Sequence, residues 1–325
     1  MSCCAQGATP ARLRLGWIAR RPNHKPNEET VWACDWTVAL SVGRRRAAPA
    51  WQSFLEVGRL QETARDIMQS RSRVRDDRVR RERESYDEGE VFVESARLHA
   101  RFEHVFTGAN SRAAERHFAH LVREQAASRR VLSYGCVRGD MLMPAVLAAR
   151  PQRLLVVDVS IKEIEAVRTE FGSAAEYSVM DAHSLAVPEE SFDLVVGRAI
   201  IHHLDYETAI REIHRVLAPG GLAAFVEPLR GNPLLALARL MTPRARTRDE
   251  LPLSSAQLRF ADHVFGSSRH QFFNLLSVPA GMMSSLLFPN PDNVLMRAAD
   301  RVDRVLANTP ARYWMRSAIL AWRKT

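Results

Sequence analysis

The sequence predicts an α/β fold: a doubly wound, mostly parallel sheet with helices on both faces, preceded by a helical N-terminal extension and followed by a helical cap. Three observations predict it. Between residues 129 and 228, short and almost continuously apolar runs alternate with amphipathic ones, the pattern of a parallel sheet covered on both sides. The first run ends in a glycine-bearing turn, Gly135 to Gly139. The second run ends in Asp158, and Asp181 follows the third.

The elements follow in order. Residues 1–50 hold Pro10, Pro22, Pro26 and Pro49 among Arg and Ala without steady periodicity, and are expected to be a disordered extension. Residues 51–128 form the helical N-terminal segment. Trp51, Phe54, Leu55, Ala64, Ile67 and Met68 recur at helical spacing, as do Ala114, Phe118, Leu121 and Val122. Between them, residues 71–84 alternate Arg with Asp and Glu and read as a solvated helix or linker with local ion pairs. Strands are expected at 131–134, 154–158, 176–180, 192–197 and 222–226, with helices at 140–150, 161–171 and 206–216. Residues 229–310, rich in Leu, Pro, Arg and Met, read as mainly helical. Residues 311–325 contain a final strand, at 314–322.

Composition excludes several classes. The net charge is +9 and all but three of the 46 basic residues are arginine. The first fifty residues carry eight basic and three acidic side chains, so much of the excess lies outside the core. No basic face or nucleic-acid module is evident, and no nucleic-acid partner is expected. The spacing of the four cysteines (Cys3, Cys4, Cys34 and Cys136) fits neither a zinc pattern nor a disulfide framework. A reducing cytoplasm fits, and no metal ligand set is read. The longest apolar stretches, such as 275–287, are too short to span a bilayer.

The chemistry concentrates at the strand ends. A glycine turn lets backbone approach a ligand without Cβ interference and points helix N-terminal amides at it. An acid after the second strand can hold ribose hydroxyls, and Asp181 can accept from an adenine amino group. Each acid alone reads as a loop residue or helix cap; the ordered set is specific. With Phe192-Asp193-Leu194-Val195-Val196, Ile201-His202-His203-Leu204-Asp205 and Glu212-Ile213-His214-Arg215-Val216-Leu217-Ala218-Pro219-Gly220-Gly221, residues 130–227 resemble the small-molecule branch of the class I S-adenosylmethionine-dependent methyltransferases, whose fold is Rossmann-like.

That resemblance implies roles. Gly135, Cys136 and Gly139 would line the methionine part of S-adenosylmethionine, with Tyr134 beside them. Asp158 would hold the ribose, Val159 would lie against the adenine, Asp181 and Ala182 would fix the adenine edge, and Arg198 would lie beside the cofactor. Two positions depart from the family: Ser133 stands where an acid is usual, and Val137 where glycine is usual. Methyl transfer from a sulfonium is an in-line displacement, and a base is needed only when the acceptor must lose a proton. His202 and His203 follow the fourth strand, and histidine suits base work near neutrality. His202 is expected nearer the acceptor and His203 is expected to be structural. Residues 229–310 would cap a small, partly apolar acceptor with Leu234, Leu235, Leu237, Leu240, Met241, Phe272, Phe273, Leu275 and Leu276, while Arg230, Arg239, Arg244, Arg246 and Arg248 could meet an anionic group. A solvated helical cap is the plain alternative, and a lipid acceptor at a membrane surface is another. The rival to an enzyme is a non-catalytic scaffold with a degenerate glycine loop.

Overall fold

Residues 75–86, 90–136, 141–233, 235, 236, 240 and 250–325 are described by a computed structural model of the chain. The expectations for residues 1–74, and for Val137 and Gly139, lie outside them.

The apolar runs pair as strands. β1 (Arg130–Tyr134) has β2 (Arg153–Asp158) parallel on one side, Val131 opposite Leu154. On the other side it has β4 (Phe192–Arg198), Val131 opposite Leu194. β3 (Glu176–Val179) extends the sheet beyond β2, and β5 (Leu217–Pro228) extends it beyond β4. β7 (Ser317–Lys324) runs antiparallel between β5 and β6 (Gly266–Phe273). The resulting order is β3-β2-β1-β4-β5-β7-β6. It reverses direction at β1, so the carboxyl ends of β1 and β4 flank the crevice where open α/β sheets bind ligands.

Helices cover both faces because their apolar positions recur at helical spacing. On one face lie α4 (Ala109–Ala126), α5 (Leu142–Ala148) and α6 (Ile161–Phe171), burying Phe118, Val122, Val146, Ile164 and Val167. On the other lie α7 (Tyr206–Val216) and α8 (Ser255–Phe265). Ile210, Ile213, Val216 and Phe265 there are fully buried, each contributing about 1.5–3 kcal/mol of transfer free energy. Caps fix the helix starts. Ser160 accepts from the Glu163 amide, Asp205 accepts from the Thr208 amide, and Ser254 with Gln257 forms a capping box.

Helix α6 and helix α7 occupy the residues the pattern predicts, and the expected strands 131–134, 154–158, 192–197 and 222–226 fall within β1, β2, β4 and β5. The segment 229–310 differs from its mainly helical reading. It holds α8, α9 (Ser277–Leu287) and α10 (Val294–Leu306), but also β6, an edge strand of the sheet. Gly266 makes this possible: at φ +82° it ends α8 in the left-handed region and turns the chain back along β7. Asp262 ties the corner together, accepting from Trp322 Nε1 at 2.9 Å and pairing with His270 Nε2 at 2.8 Å. Phe272 and Phe273 therefore belong to the sheet rather than to a cap. At the N-terminal side, residues 75–86 form α1, and α2 (Glu90–Arg101) and α3 (Glu103–Thr107) lead into α4. No helix among the described residues is long and apolar enough to cross a membrane.

Candidate active site

A cleft of about 720 Å³, open solvent at its mouth included, lies at the carboxyl ends of β1, β2 and β4. Gly135 forms its floor at φ +81°. A Cβ there would sit 3.0 Å from the Ile200 side chain while forcing an L residue into the left-handed region. Its amide donates to the Val157 carbonyl at 2.9 Å, which holds the turn against β2.

Asp158 closes β2 and organises the loops on either side. Its Oδ2 accepts from the Cys136 amide at 2.9 Å and its Oδ1 from the Ser160 amide at 2.8 Å. Burial pushes its pKa up, and these bonds offset the shift only in part. Val159 also lines the cleft, and its carbonyl accepts from Arg83 Nε at 3.1 Å.

Asp181 and Ala182 line the far side. Asp181 Oδ1 accepts from the His183 amide at 2.9 Å and from His183 Nδ1 at 2.7 Å. His183 Nε2 accepts from the Asp205 amide at 2.8 Å. That last bond fixes the tautomer: Nε2 carries the lone pair and Nδ1 the proton. Burial would raise the Asp181 pKa, but the His183 hydrogen bonds outweigh it and hold the carboxyl below its usual range. Arg198 lines the cleft beside Ala199 and pairs with Glu115 at 3.3 Å.

Tyr134 corrects an expectation. Its ring is fully buried, edge-on to Phe225 with centroids 6.0 Å apart, and its hydroxyl donates to the Ala182 carbonyl. It supports the Asp181–Ala182 loop from behind and does not line the cleft. Ser133, standing where the family has an acid, is also buried, its hydroxyl donating to the Gly135 carbonyl at 3.3 Å.

The paired histidines are arranged opposite to expectation. They sit in a 3-10 turn, Ile201–His203, with ring centroids 4.2 Å apart. His203 lines the cleft; His202 lies behind it. The cause is Glu227 near the end of β5. Its Oε1 accepts from the Ile200 and Ile201 amides at 3.0 Å each, and its Oε2 accepts from His202 Nδ1 at 2.7 Å. With all three bonds made, His202 is drawn into the core, and burial pushes its pKa down despite Glu227. His203 Nδ1 faces Glu82 Oε2 at 3.1 Å.

Glu82 belongs to α1, whose inner face also brings Arg78, Val79 and Tyr86 to the cleft. The outer face carries the expected ion pairs, such as Arg80–Asp77 at 2.8 Å. Reading this stretch as wholly solvated missed the inner face. Val79 and Tyr86, seven residues apart in a charged run, were the available signal. Of the expected acceptor residues, Leu234, Leu237, Arg239, Met241, Arg244, Arg246 and Arg248 lie outside the described residues, and Leu240 is exposed.

Residues 132–225 match the family model described as a methyltransferase domain. This part of the chain is a methyltransferase domain. An uncharacterized methyltransferase of Mycobacterium tuberculosis is 34% identical over 109 residues, which is 32% of this chain and 54% of that protein. The 27-O-demethylrifamycin SV methyltransferase of Amycolatopsis mediterranei is 33% identical over 106 residues, 30% of this chain and 38% of that protein. The aklanonic acid methyltransferase of a Streptomyces species is 32% identical over 114 residues, 33% and 52% respectively. The chain thus spans about half the length of the curated relatives it matches, or less. Among solved structures, the N-methyltransferase NodS of Bradyrhizobium japonicum in complex with S-adenosyl-L-homocysteine is 17% identical with a TM-score of 0.43, covering 67% of this chain and 88% of that one.

Proposed function

We propose that this protein transfers the methyl group of S-adenosylmethionine to a small, partly apolar acceptor. One observation carries the proposal: two carboxylates, Asp158 and Asp181, border a single cleft above the glycine turn at the switch point of the sheet. The residues present fit the cofactor. Asp158 has lone pairs beyond those given to the Cys136 and Ser160 amides, since an ionised carboxylate offers about four, and these suit a ribose diol. Asp181, held ionised by His183, suits an adenine amino group, with Ala182 and Val159 along the purine. Gly135 leaves room where a Cβ would crowd the methionine chain. Cys136 and Arg198 complete the wall, and Gly139 of the same turn is proposed with them.

S-adenosylmethionine supplies an electrophilic methyl on a good leaving group. The work left to the chain is alignment and proton removal. Alignment of nucleophile, methyl and sulfur can lower the barrier by roughly 7–11 kcal/mol at best. Where the acceptor must lose a proton, His203 is the cleft-facing base, oriented by Glu82, and His202 holds the turn that presents it. The acceptor end is bounded by the chain after β5, where the Leu251 amide donates to the His202 carbonyl at 3.0 Å. Val79, Ile200 and Leu204 give the cleft an aliphatic lining, which suits a partly apolar acceptor. The printed names of the Amycolatopsis and Streptomyces relatives support a small molecule as acceptor. The reading is tested by incubating the protein with methyl-labelled S-adenosylmethionine and metabolite extracts. Label transferred to a small organic product is expected. Calorimetric failure to bind the cofactor would overturn the reading.

A further inference from the structure

One ring nitrogen each of His202 and His203 and a carboxylate oxygen of Glu250 lie within 4.8 Å of one another. His202 Nε2 and Glu250 Oε1 are 4.0 Å apart. That is too long for a hydrogen bond and longer than the roughly 3.3 Å between ligands of a tetrahedral ion with bonds near 2.0–2.1 Å, so an ion would draw the two side chains together. Glu227 accepts from the amides of Ile200 and Ile201 and faces His202 Nδ1 at 2.7 Å. With Nδ1 turned to Glu227, Nε2 is the His202 ring nitrogen on the side of Glu250. Two nitrogens and one oxygen from three side chains thus come together in one place, a donor set that suits a transition-metal ion.

The surroundings have the form of a metal centre's supporting layer. Ligating histidines characteristically donate their other ring nitrogen to a carboxylate or carbonyl, which fixes tautomer and orientation. Glu227 Oε2 stands 2.7 Å from His202 Nδ1 and Glu82 Oε2 stands 3.1 Å from His203 Nδ1, the places such partners take. The buried Asp303 offers a contrast. Its oxygens accept from the amides of Leu275, Leu276 and Ser277 and from the Ser277 hydroxyl, so it caps α9 and brings no histidine with it.

We propose that His202, His203 and Glu250 form a binding site for one divalent first-row transition-metal ion. Two imidazoles and one carboxylate suit Zn2+ or Fe2+ and their relatives rather than Ca2+ or Mg2+, which take oxygen donors. A three-ligand set leaves open positions. His203 borders the cleft, so those positions would favour an acceptor bearing an oxygen ligand. This last point rests on the methyl-transfer reading; the ion site itself does not.

Cobalt(II) is the probe, because its visible absorption reports a low-symmetry nitrogen and oxygen environment. Full-length protein is stripped with chelator, dialysed, and titrated. One equivalent is expected to bind with a visible band. Glu250→Gln and His203→Asn should each weaken that binding at least tenfold, with the metal-free melting temperature of Glu250→Gln unchanged. Absence of a stoichiometric band, or a band equally strong in Glu250→Gln, overturns the proposal. If His203→Asn fails to fold, Glu250→Gln decides alone. Calorimetry with S-adenosylmethionine on the stripped protein is the separating control: cofactor binding with no cobalt site sinks this inference and leaves the proposed function standing.

Discussion

Replacing Asp158 by Asn separates a binding role from a structural one. The carboxylate accepts from the amides of Cys136 and Ser160. Asn keeps one acceptor oxygen and turns an amino group toward the other amide. An orphaned buried amide costs about 1–3 kcal/mol. Burial, however, already pushes the Asp158 pKa up, so ionisation costs more in the folded state than in water and a neutral side chain recovers part of that cost. The net change in stability is therefore expected to fall below the cost of the orphaned amide. Affinity should respond differently. Hydrogen bonds from ribose hydroxyls to a charged acceptor contribute roughly 1.5–3 kcal/mol, so the Kd for S-adenosylmethionine should rise about 10- to 150-fold. Calorimetry at pH 7.5 measures the affinity and a thermal melt measures the fold. Asp158→Ala, which loses both amide contacts, should match Asn in affinity and fall below it in melting temperature. A Kd within twofold of the parent in both variants would remove Asp158 from the cofactor site.

Stability should fall as pH drops from neutrality, with His202 contributing. Burial holds its folded pKa below the unfolded value of 6.5, so the unfolded chain takes up the proton first. The stabilisation is complete above about pH 6.5 and is lost as pH falls toward the folded value. His202→Gln should flatten the melting temperature between pH 7 and 5.5 in chelator; an unchanged slope would show that another group governs this window. The carboxyls held below their usual range, Glu176, Asp181, Asp193, Asp205 and Asp262, act below about pH 4.5 and do not overlap it. Gly197→Ala should destabilise the sheet by about 1–3 kcal/mol, because its Cβ would stand 2.5 Å from the Phe225 ring and 2.8 Å from the Tyr134 carbonyl. Urea denaturation measures this, and a loss under about 0.5 kcal/mol would mean that Phe225 repacks freely.

The central sheet was legible because its strands are buried on both faces. Leu154, Leu155, Val156 and Val157 are all buried, and no solvated face interrupts the run. Helix α7 was legible for the complementary reason: Ala209, Ile210, Ile213 and Val216 mark one helical face between the Asp205 cap and the turn. β6 was not. Gly266 to Gln271 carry no apolar side chain, because this edge strand is held by backbone pairing to β7 rather than by burial. Only Phe272 among its residues is buried. Periodicity reports side-chain burial, so it is silent where hydrogen bonding alone defines a strand.

The site divides along the same line. Gly135, Cys136, Asp158, Val159, Asp181, Ala182 and Arg198 were readable because each lies at the end of a readable strand, and all line the cleft. The histidines were readable as a pair but not as individuals. Their orientation is decided by Glu227 and Glu82, which stand 25 residues after His202 and 121 before His203. Two neighbouring side chains in a 3-10 turn must diverge, but which one faces the cleft depends on where a buried carboxylate waits. Glu227 already binds the amides of Ile200 and Ile201, so the ring it captures is the next one along, and that is His202. Local spacing establishes that one histidine is withdrawn. Tertiary pairing selects it, and the same pairing leaves the second imidazole, backed by Glu82, at the cleft wall, where either a proton or a cation can be held.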